Sequence, residues 1–274
     1  MKSVDMNIPS TFVPQMIRIN FIHSDSSRLK TKAMNMNNAN VVESGGHRLS
    51  IEVEAVTFDD FGTLRYSAGE KEDIIFPIMR ALKKEGVNLR KRDFLQAYFR
   101  IDTSYHKMKS RTLQEHLLDD IIAETLEFVG SMPKNDEIIK RAVNSGLKTR
   151  KTRWYPDSIQ VLQTLREKGY NLGLISNTHW RFLDDLRRKF ETYFDVITLS
   201  YEHGYMKPHS SIFLVTLERL RVNSDHCLYV GDDPEADIEG AKRLGIKTVF
   251  VRRKAKEARA DLQISQLRDL LSFL

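Results

Sequence analysis

Carboxylates placed just after short apolar runs are the side chains of this sequence best suited to chemistry. Asp59-Asp60 follows the apolar run at residues 53–58, and Asp232-Asp233 follows the run at 227–230 with Asp237 close behind. A carboxylate such as Asp59 can attack phosphorus or carbon, splitting one difficult displacement into two through a covalent intermediate. Gly62-Thr63 behind it has the spacing of a tight loop. Asp59 and Asp232 in one pocket would repel each other unless a hard cation lay between them, and Mg²⁺ suits such an oxygen-lined site. The ammonium of Lys207 could offset the charge of Asp59 and of a bound phosphoryl group, while Ser176 and loop N–H groups could donate to its oxygens.

These residues converge only if the elements carrying them lie side by side. Apolar runs of strand length occur at residues 53–58, 172–175, 196–199, 227–230 and 248–251. A helical pattern at 159–168 precedes the second run, and patterns at 180–188, 211–220 and 234–244 separate the last four. Strands alternating with helices imply parallel pairing through right-handed crossovers, giving an α/β fold with a doubly wound, Rossmann-like parallel sheet. Ligands in such sheets bind at the carboxyl ends of strands, where Asp59, Ser176 and Asp232 fall, with Lys207 shortly beyond a fourth strand end.

Between the first and second strands lie about 90 residues without a convincing strand. Apolar positions recur there at helical spacing in four segments, around Ile75, Leu95, Leu117 and Ile138. They predict an inserted α-helical cap domain, in which Pro77 falls in the first turn of its helix if that helix begins near Ile74. The expected organisation is a disordered or poorly structured extension at 1–50, an α/β core at 51–70 and 154–274, and the helical cap at 71–153. The extension is polar, turn-prone and lacks the apolar segment of a secretory signal.

Composition narrows the classes further. The 274 residues are 41% hydrophobic, enough for one core and a smaller appended unit. No stretch approaches the roughly 18 to 20 apolar residues that cross a bilayer, so no membrane partner is expected. A single cysteine, Cys227, cannot close an intramolecular disulfide, which fits a reducing, cytoplasmic setting. Of the net charge of +6, half lies in residues 1–50, which hold six Lys or Arg against three Asp or Glu. The other basic runs, residues 147–153 and 252–254, read as solvated surface, and no aromatic–basic motif points to specific nucleic acid.

Taken in order, the loops Asp59-Asp60-Phe61-Gly62-Thr63-Leu64, Ser176-Asn177-Thr178, Lys207-Pro208 and Gly231-Asp232-Asp233-Pro234-Glu235-Ala236-Asp237 resemble the four motifs of the haloacid dehalogenase superfamily of hydrolases. The resemblance covers residues 53–274, and the helical insert is similar to the family's C1-type cap. It implies Asp59 and Lys207 as catalytic residues, and Thr63, Ser176 and Asn177 as substrate-binding. It further implies Mg²⁺ held by Asp59, Asp232 and the main-chain carbonyl of Phe61, with Asp233 and Asp237 in support. Asp237 would either orient Lys207 or support the metal. The implied activity is that of a phosphatase working through a phospho-aspartyl intermediate on a small phosphorylated metabolite.

One position departs from that pattern. Phosphatases of the superfamily carry a second aspartate two residues after the nucleophile as general acid and base, and here that residue is Phe61. General acid–base catalysis is worth about 10² to 10⁴ in rate, so the expected substrate has a leaving group that departs unprotonated. Asp60 is a possible substitute proton source, and Phe61→Asp should raise turnover of alkyl phosphates several-fold. An aromatic at this position also resembles the 2-haloacid dehalogenase branch, whose halide needs no proton. That branch lacks the acidic fourth motif present here. A binding protein built on the same fold, with weak catalysis or none, is the alternative from another class. In the cap, Tyr98, Arg100, Tyr105, His106 and Lys107 are the expected candidates for substrate contact.

Overall fold

The computed structural model describes residues 40–44, 47–69, 72–253 and 257–274. In chain order the strands are β1 (Asn40–Ser44), β2 (His47–Ile51), β3 (Ala55–Phe58), β4 (Arg65–Ser67), β5 (Thr152–Trp154), β6 (Asn171–Ser176), β7 (Val196–Leu199), β8 (Cys227–Gly231), β9 (Lys247–Val251) and β10 (Leu262–Ile264). The helices are α1 (Glu72–Lys84), α2 (Lys91–Thr112), α3 (Leu118–Phe128), α4 (Asp136–Leu147), α5 (Ser158–Glu167), α6 (Asp184–Glu191), α7 (Ser200–His203), α8 (Ser210–Leu220) and α9 (Gly240–Lys242).

Six strands form one sheet in the order β10-β9-β8-β3-β6-β7, every pair parallel. The chain runs outward from β3 through β6 and β7, then crosses to β8 on the other side of β3. The order therefore reverses between β3 and β8, which is where open sheets of this kind leave a crevice. Phe58 is in register with Val230 across that junction, and the Asp59 N–H bonds the Val230 carbonyl at 2.9 Å. Topology thus sets the loops of Asp59 and Asp232 beside each other.

Alternate residues of the buried strands feed two cores. On one face Val56, Phe58, Leu172 and Leu174 pack with Val161, Leu162 and Leu165 of α5 and with Leu267 and Leu270 near the C-terminus. On the other, Ala55, Ile175 and Tyr229 pack with Ile212, Phe213 and Leu217 of α8. Cys227 lies in this second core, where burial pushes its thiol up to about 11.

Helices α1 to α4 occupy the insertion between β4 and β5 and have a third core of their own, including Ile75, Ile78, Leu82, Phe94, Ile122 and Ile139. Gly146 lets α4 lie against α1: a Cβ there would stand 2.7 Å from the Ile74 carbonyl oxygen. Among the described residues no helix is long and apolar enough to cross a membrane.

Several elements differ from the sequence-based expectation, each for a local reason. Helix α1 begins at Glu72, so Pro77 lies inside it rather than in its first turn. Proline has no N–H to give the Asp73 carbonyl four residues back. The Thr149 hydroxyl reaches that carbonyl instead, at 2.6 Å. The helix expected at 180–188 starts only at Asp184, because the Thr178 hydroxyl ties the Trp180 N–H and the Tyr201 hydroxyl takes the Phe182 N–H. The helix expected at 234–244 opens as a wide turn, the N–H groups of both Asp237 and Ile238 reaching the Asp233 carbonyl, before α9.

Strands β4 and β5 pair antiparallel, Arg65 opposite Trp154, exactly where the chain enters and leaves the insertion. At three residues each, they are too short to show a period. The expectation of a poorly structured 1–50 lies outside the described residues as far as 39. Beyond that, β1 and β2 pair antiparallel with Val42 opposite Leu49. Two five-residue runs separated by Gly45-Gly46 carry the spacing of a two-residue hairpin, a signal the polar composition masked.

Candidate active site

Asp59, Lys207 and Asp237 meet at the carboxyl edge of the sheet. Lys207 Nζ donates to Asp59 Oδ1, Asp237 Oδ1 and the Tyr229 hydroxyl, each at 2.7 Å. The Tyr229 hydroxyl donates in turn to Asp237 Oδ1 at 3.0 Å. The other Asp237 oxygen accepts the Asp232 and Asp233 N–H groups at 3.1 and 2.9 Å. Both oxygens of Asp237 are therefore committed, which favours the orienting role for it over that of a metal ligand.

Burial pushes the Asp59 carboxyl well above the usual range; Lys207 opposes this, and the charges of Asp237 and Asp232 add to it. Burial alone would lower Lys207, but the facing Asp237 and Asp59 outweigh it and hold the ammonium charged. The Tyr229 hydroxyl is held neutral by burial and by the same two carboxylates.

The donor set fits a hard divalent cation. Asp59 Oδ2 is buried and has no hydrogen-bond partner among the described residues. Oxygens of Asp59, Asp232 and Asp237 lie within 4.8 Å of one another, a spacing close to the roughly 4.2 Å that two oxygens on one Mg²⁺ can span. Gly62 makes room for this arrangement: its φ of +103° favours glycine, and a Cβ there would stand 2.2 Å from the Asp232 carboxylate.

The remaining expected residues divide. Thr63 is fully buried in the same loop, its hydroxyl unpartnered among the described residues. Ser176 ends β6 beside β3. Asn177 is engaged by Lys207, its Nδ2 donating to the Lys207 carbonyl at 2.9 Å and its Oδ1 accepting the Lys207 N–H at 2.7 Å. Asp233 caps the following turn, its Oδ1 accepting the Glu235 and Ala236 N–H groups. Asp60 is not placed to move a proton: it is fully buried, with both oxygens on Arg65 at 2.7 and 2.5 Å.

Sequence reasoning missed the surroundings of Phe61. The buried Arg65 guanidinium lies 4.9 Å from the Phe61 ring centroid and 4.5 Å from that of Phe190. Arg150, read as solvated surface, is half-buried with its guanidinium carbon 4.2 Å from the centroids of both Phe61 and Trp180. Burial and the neighbouring Arg65 charge bring it down to about 10, against the pull of Asp60. Tyr229 was missed too, since a tyrosine in a buried strand reads as core. No sequence signal marks any of these three.

Three of the cap candidates have partners within the cap. Tyr98 is buried in the cap's own core, Arg100 lies over the exposed Phe128 ring, and Tyr105 packs on His116. Cap and core meet at residues 113–118, and also where Arg181 bonds Asp119 and Asn144. The Glu115 N–H bonds the Gly204 carbonyl, the Met206 N–H bonds the Leu113 carbonyl, and the Leu118 N–H bonds the His179 carbonyl, at 2.8 to 2.9 Å. The Ser200 hydroxyl donates to the Glu115 carboxylate, which also pairs with Lys109. The residue preceding Lys207 is thus bonded directly to the cap.

A parallel sheet reversing beside a carboxylate-lined crevice, with a helical insert above it, defines a capped α/β hydrolase architecture. The chain belongs to the haloacid dehalogenase-like hydrolase family, whose sequence model matches residues 72–251. It is 31% identical over 205 residues to the phosphoglycolate phosphatase of Aquifex aeolicus, covering 72% of this chain and 84% of that one. It is 38% identical to the glyceraldehyde 3-phosphate phosphatase of Methanopyrus kandleri over 103 residues, 36% of this chain, and spans only 43% of that protein's length. Among solved structures, the 2-haloacid dehalogenase of Pseudomonas syringae superposes with a TM-score of 0.63 at 21% identity, covering 81% of this chain and 97% of the other, a likeness of fold. A phosphatase from Thermococcus onnurineus superposes with a TM-score of 0.52 at 26% identity, covering 80% and 96%.

Proposed function

We propose that the chain is a Mg²⁺-dependent phosphatase of small phosphorylated metabolites, with Asp59 as nucleophile. The observation that carries this reading is the division of labour within the Asp59 carboxylate: Lys207 anchors Oδ1, while Oδ2 is buried and unpartnered among the described residues. The phosphatase names of the relatives support it.

In this reading an Asp59 oxygen forms the bond to phosphorus as the bond to the leaving oxygen breaks, and that oxygen departs with the electron pair. Water then attacks the phospho-aspartyl group, releasing phosphate and restoring the carboxylate. Lys207 compensates charge on the transferring group, held in place by Asp237 and Tyr229, while Ser176 and Thr63 are the hydroxyls available to its oxygens. Asp59, Asp232 and the Phe61 carbonyl would hold the Mg²⁺, which when bound would draw charge from the phosphoryl oxygens.

Proton supply sets the substrate class. The side chain at position 61 is a ring flanked by two guanidiniums, which are not proton donors near neutral pH, and Asp60 is held by Arg65. Preferred substrates are therefore acyl phosphates, phosphoanhydrides and aryl phosphates.

The test is hydrolysis of acetyl phosphate, p-nitrophenyl phosphate, a sugar phosphate and a 2-haloacid, each with Mg²⁺ and with EDTA. Metal-dependent turnover of the first two, well above the sugar phosphate, is expected. Equal rates on all three phosphates would refute the leaving-group assignment. Halide release that survives EDTA would establish the dehalogenase reading, which the aromatic Phe61 favours and the three clustered carboxylates oppose. Silence on every compound would leave a binding protein.

A further inference from the structure

We propose that Arg150 is an oxyanion subsite beside the reacting centre, taking a second acidic group, carboxylate or phosphate, on the phosphorylated substrate. This deepens the phosphatase reading and rests on it for the identity of the first group.

Position supplies the first argument. Arg150 stacks on Phe61, two residues after Asp59, and on Trp180, four residues after Ser176, at 4.2 Å from each ring centroid. Its guanidinium therefore bridges the loops that follow Asp59 and Ser176, at the foot of the cap where α4 returns to β5.

Charge supplies the second. Two guanidiniums, Arg65 and Arg150, contact the Phe61 ring. The neighbouring carboxylate, Asp60, holds Arg65 through both oxygens. Arg150 has no ion pair and no side-chain hydrogen bond among the described residues, whereas the adjacent, more exposed Lys151 pairs with Asp73. Ring faces attract a cation but do not accept its in-plane N–H groups, so the fork that matches an oxyanion is left unfilled. A half-buried cation with an idle fork gains most from an anion that arrives with the ligand.

The experiment uses competitive inhibition of p-nitrophenyl phosphate hydrolysis by the full chain, with Mg²⁺ in excess. Phosphonoacetate and methylenediphosphonate carry a second acid, carboxylate and phosphonate respectively, and ethylphosphonate carries none. In the natural chain at least one diacid should bind roughly 10- to 100-fold more tightly than ethylphosphonate, the weight of a charge-assisted bidentate pair. Which of them does so separates carboxylate from phosphate recognition. In Arg150→Gln the preference should collapse to about the ratio expected without that pair, and Arg150→Lys, with charge but no fork, should fall between. Equal inhibition constants in the natural chain, or a preference that survives Arg150→Gln, would overturn the subsite. Should Arg150→Gln not fold, an undiminished preference in Arg150→Lys overturns it equally.

Failure of the phosphatase reading is distinguishable. If the natural chain hydrolyses no phosphate ester, the three ligands are titrated calorimetrically. An Arg150-dependent preference for a diacid then supports the subsite without the activity, and its absence overturns it.

Discussion

Lys207 Nζ stands 2.7 Å from Asp237 Oδ1, with the two side chains 1% and 2% exposed. A lone buried ammonium would shed its proton, and a lone buried carboxylate would take one up. Together with Asp59 and the Tyr229 hydroxyl they form a buried network in which the facing carboxylates hold the Lys207 ammonium charged against its burial. Tyr229→Phe deletes one acceptor for Lys207 and one donor to Asp237 while leaving the charges in place. It should destabilise the protein by about 1–2 kcal/mol in urea denaturation. Turnover should fall by less than about 10-fold, since the ionic part of the network remains. A larger catalytic loss would mean that the phenol does more than position the lysine.

The buried pair Asp60–Arg65 makes a second case, because it joins the Asp59 loop to hinge strand β4. Asp60→Ala strands the Arg65 guanidinium among Phe61, Trp154, Phe182 and Phe190. A loss of about 3–5 kcal/mol is expected from breaking such a pair. Adding Arg65→Met should recover much of it, and the coupling is read from a double-mutant cycle by denaturant titration.

Pro77 and Thr149 should also be coupled. The Thr149 hydroxyl reaches both the Asp73 and Gly146 carbonyls, at 2.6 and 2.7 Å. Thr149→Val should cost about 0.5–1.5 kcal/mol. In a Pro77→Ala background the Asp73 carbonyl regains a helical N–H, so the same substitution should cost less. Equal costs in both backgrounds would dissociate the hydroxyl from the proline.

Phe61→Asp has a different expected outcome once Arg65 and Arg150 are in view. A carboxylate placed where both guanidiniums converge would be held ionised, since opposite charges within about 4–6 Å lower a carboxyl by roughly 1–3 units. It would be a poor proton donor at neutral pH. The expected gain on ethyl phosphate is therefore below about 3-fold, well short of the several-fold expected from sequence and of the roughly 10² to 10⁴ of a tuned general acid. Initial rates at pH 5 and pH 7 check the cause, because a gain confined to the lower pH indicates an acid whose proton is lost too early.

Much of this architecture was legible beforehand. The strands at 196–199 and 227–230 were recognisable because a strand packed between two layers reads as a continuous apolar run, and the four cap helices because burial on one face imposes a period that survives in the residue order. The acidic loops were recognisable because parallel topology carries strand ends to one edge whatever the side chains do next. What stayed illegible was short or locally overridden: the three-residue hinge pair β4 and β5, the wide turn at Pro234, and the delayed start of α6.

Residue order alone therefore determined the class of fold, its helical insertion and the meeting of Asp59, Lys207 and Asp232 at a sheet edge. Tertiary structure decided the partnerships. Asp60 turns to Arg65, Asp237 to Lys207 and Tyr229, and Arg150 to Phe61 and Trp180. The difference is physical: topology follows from periodic hydrophobicity summed over whole elements, whereas a single ion pair or stacked ring depends on which rotamer a side chain takes against one neighbour, often far away along the chain.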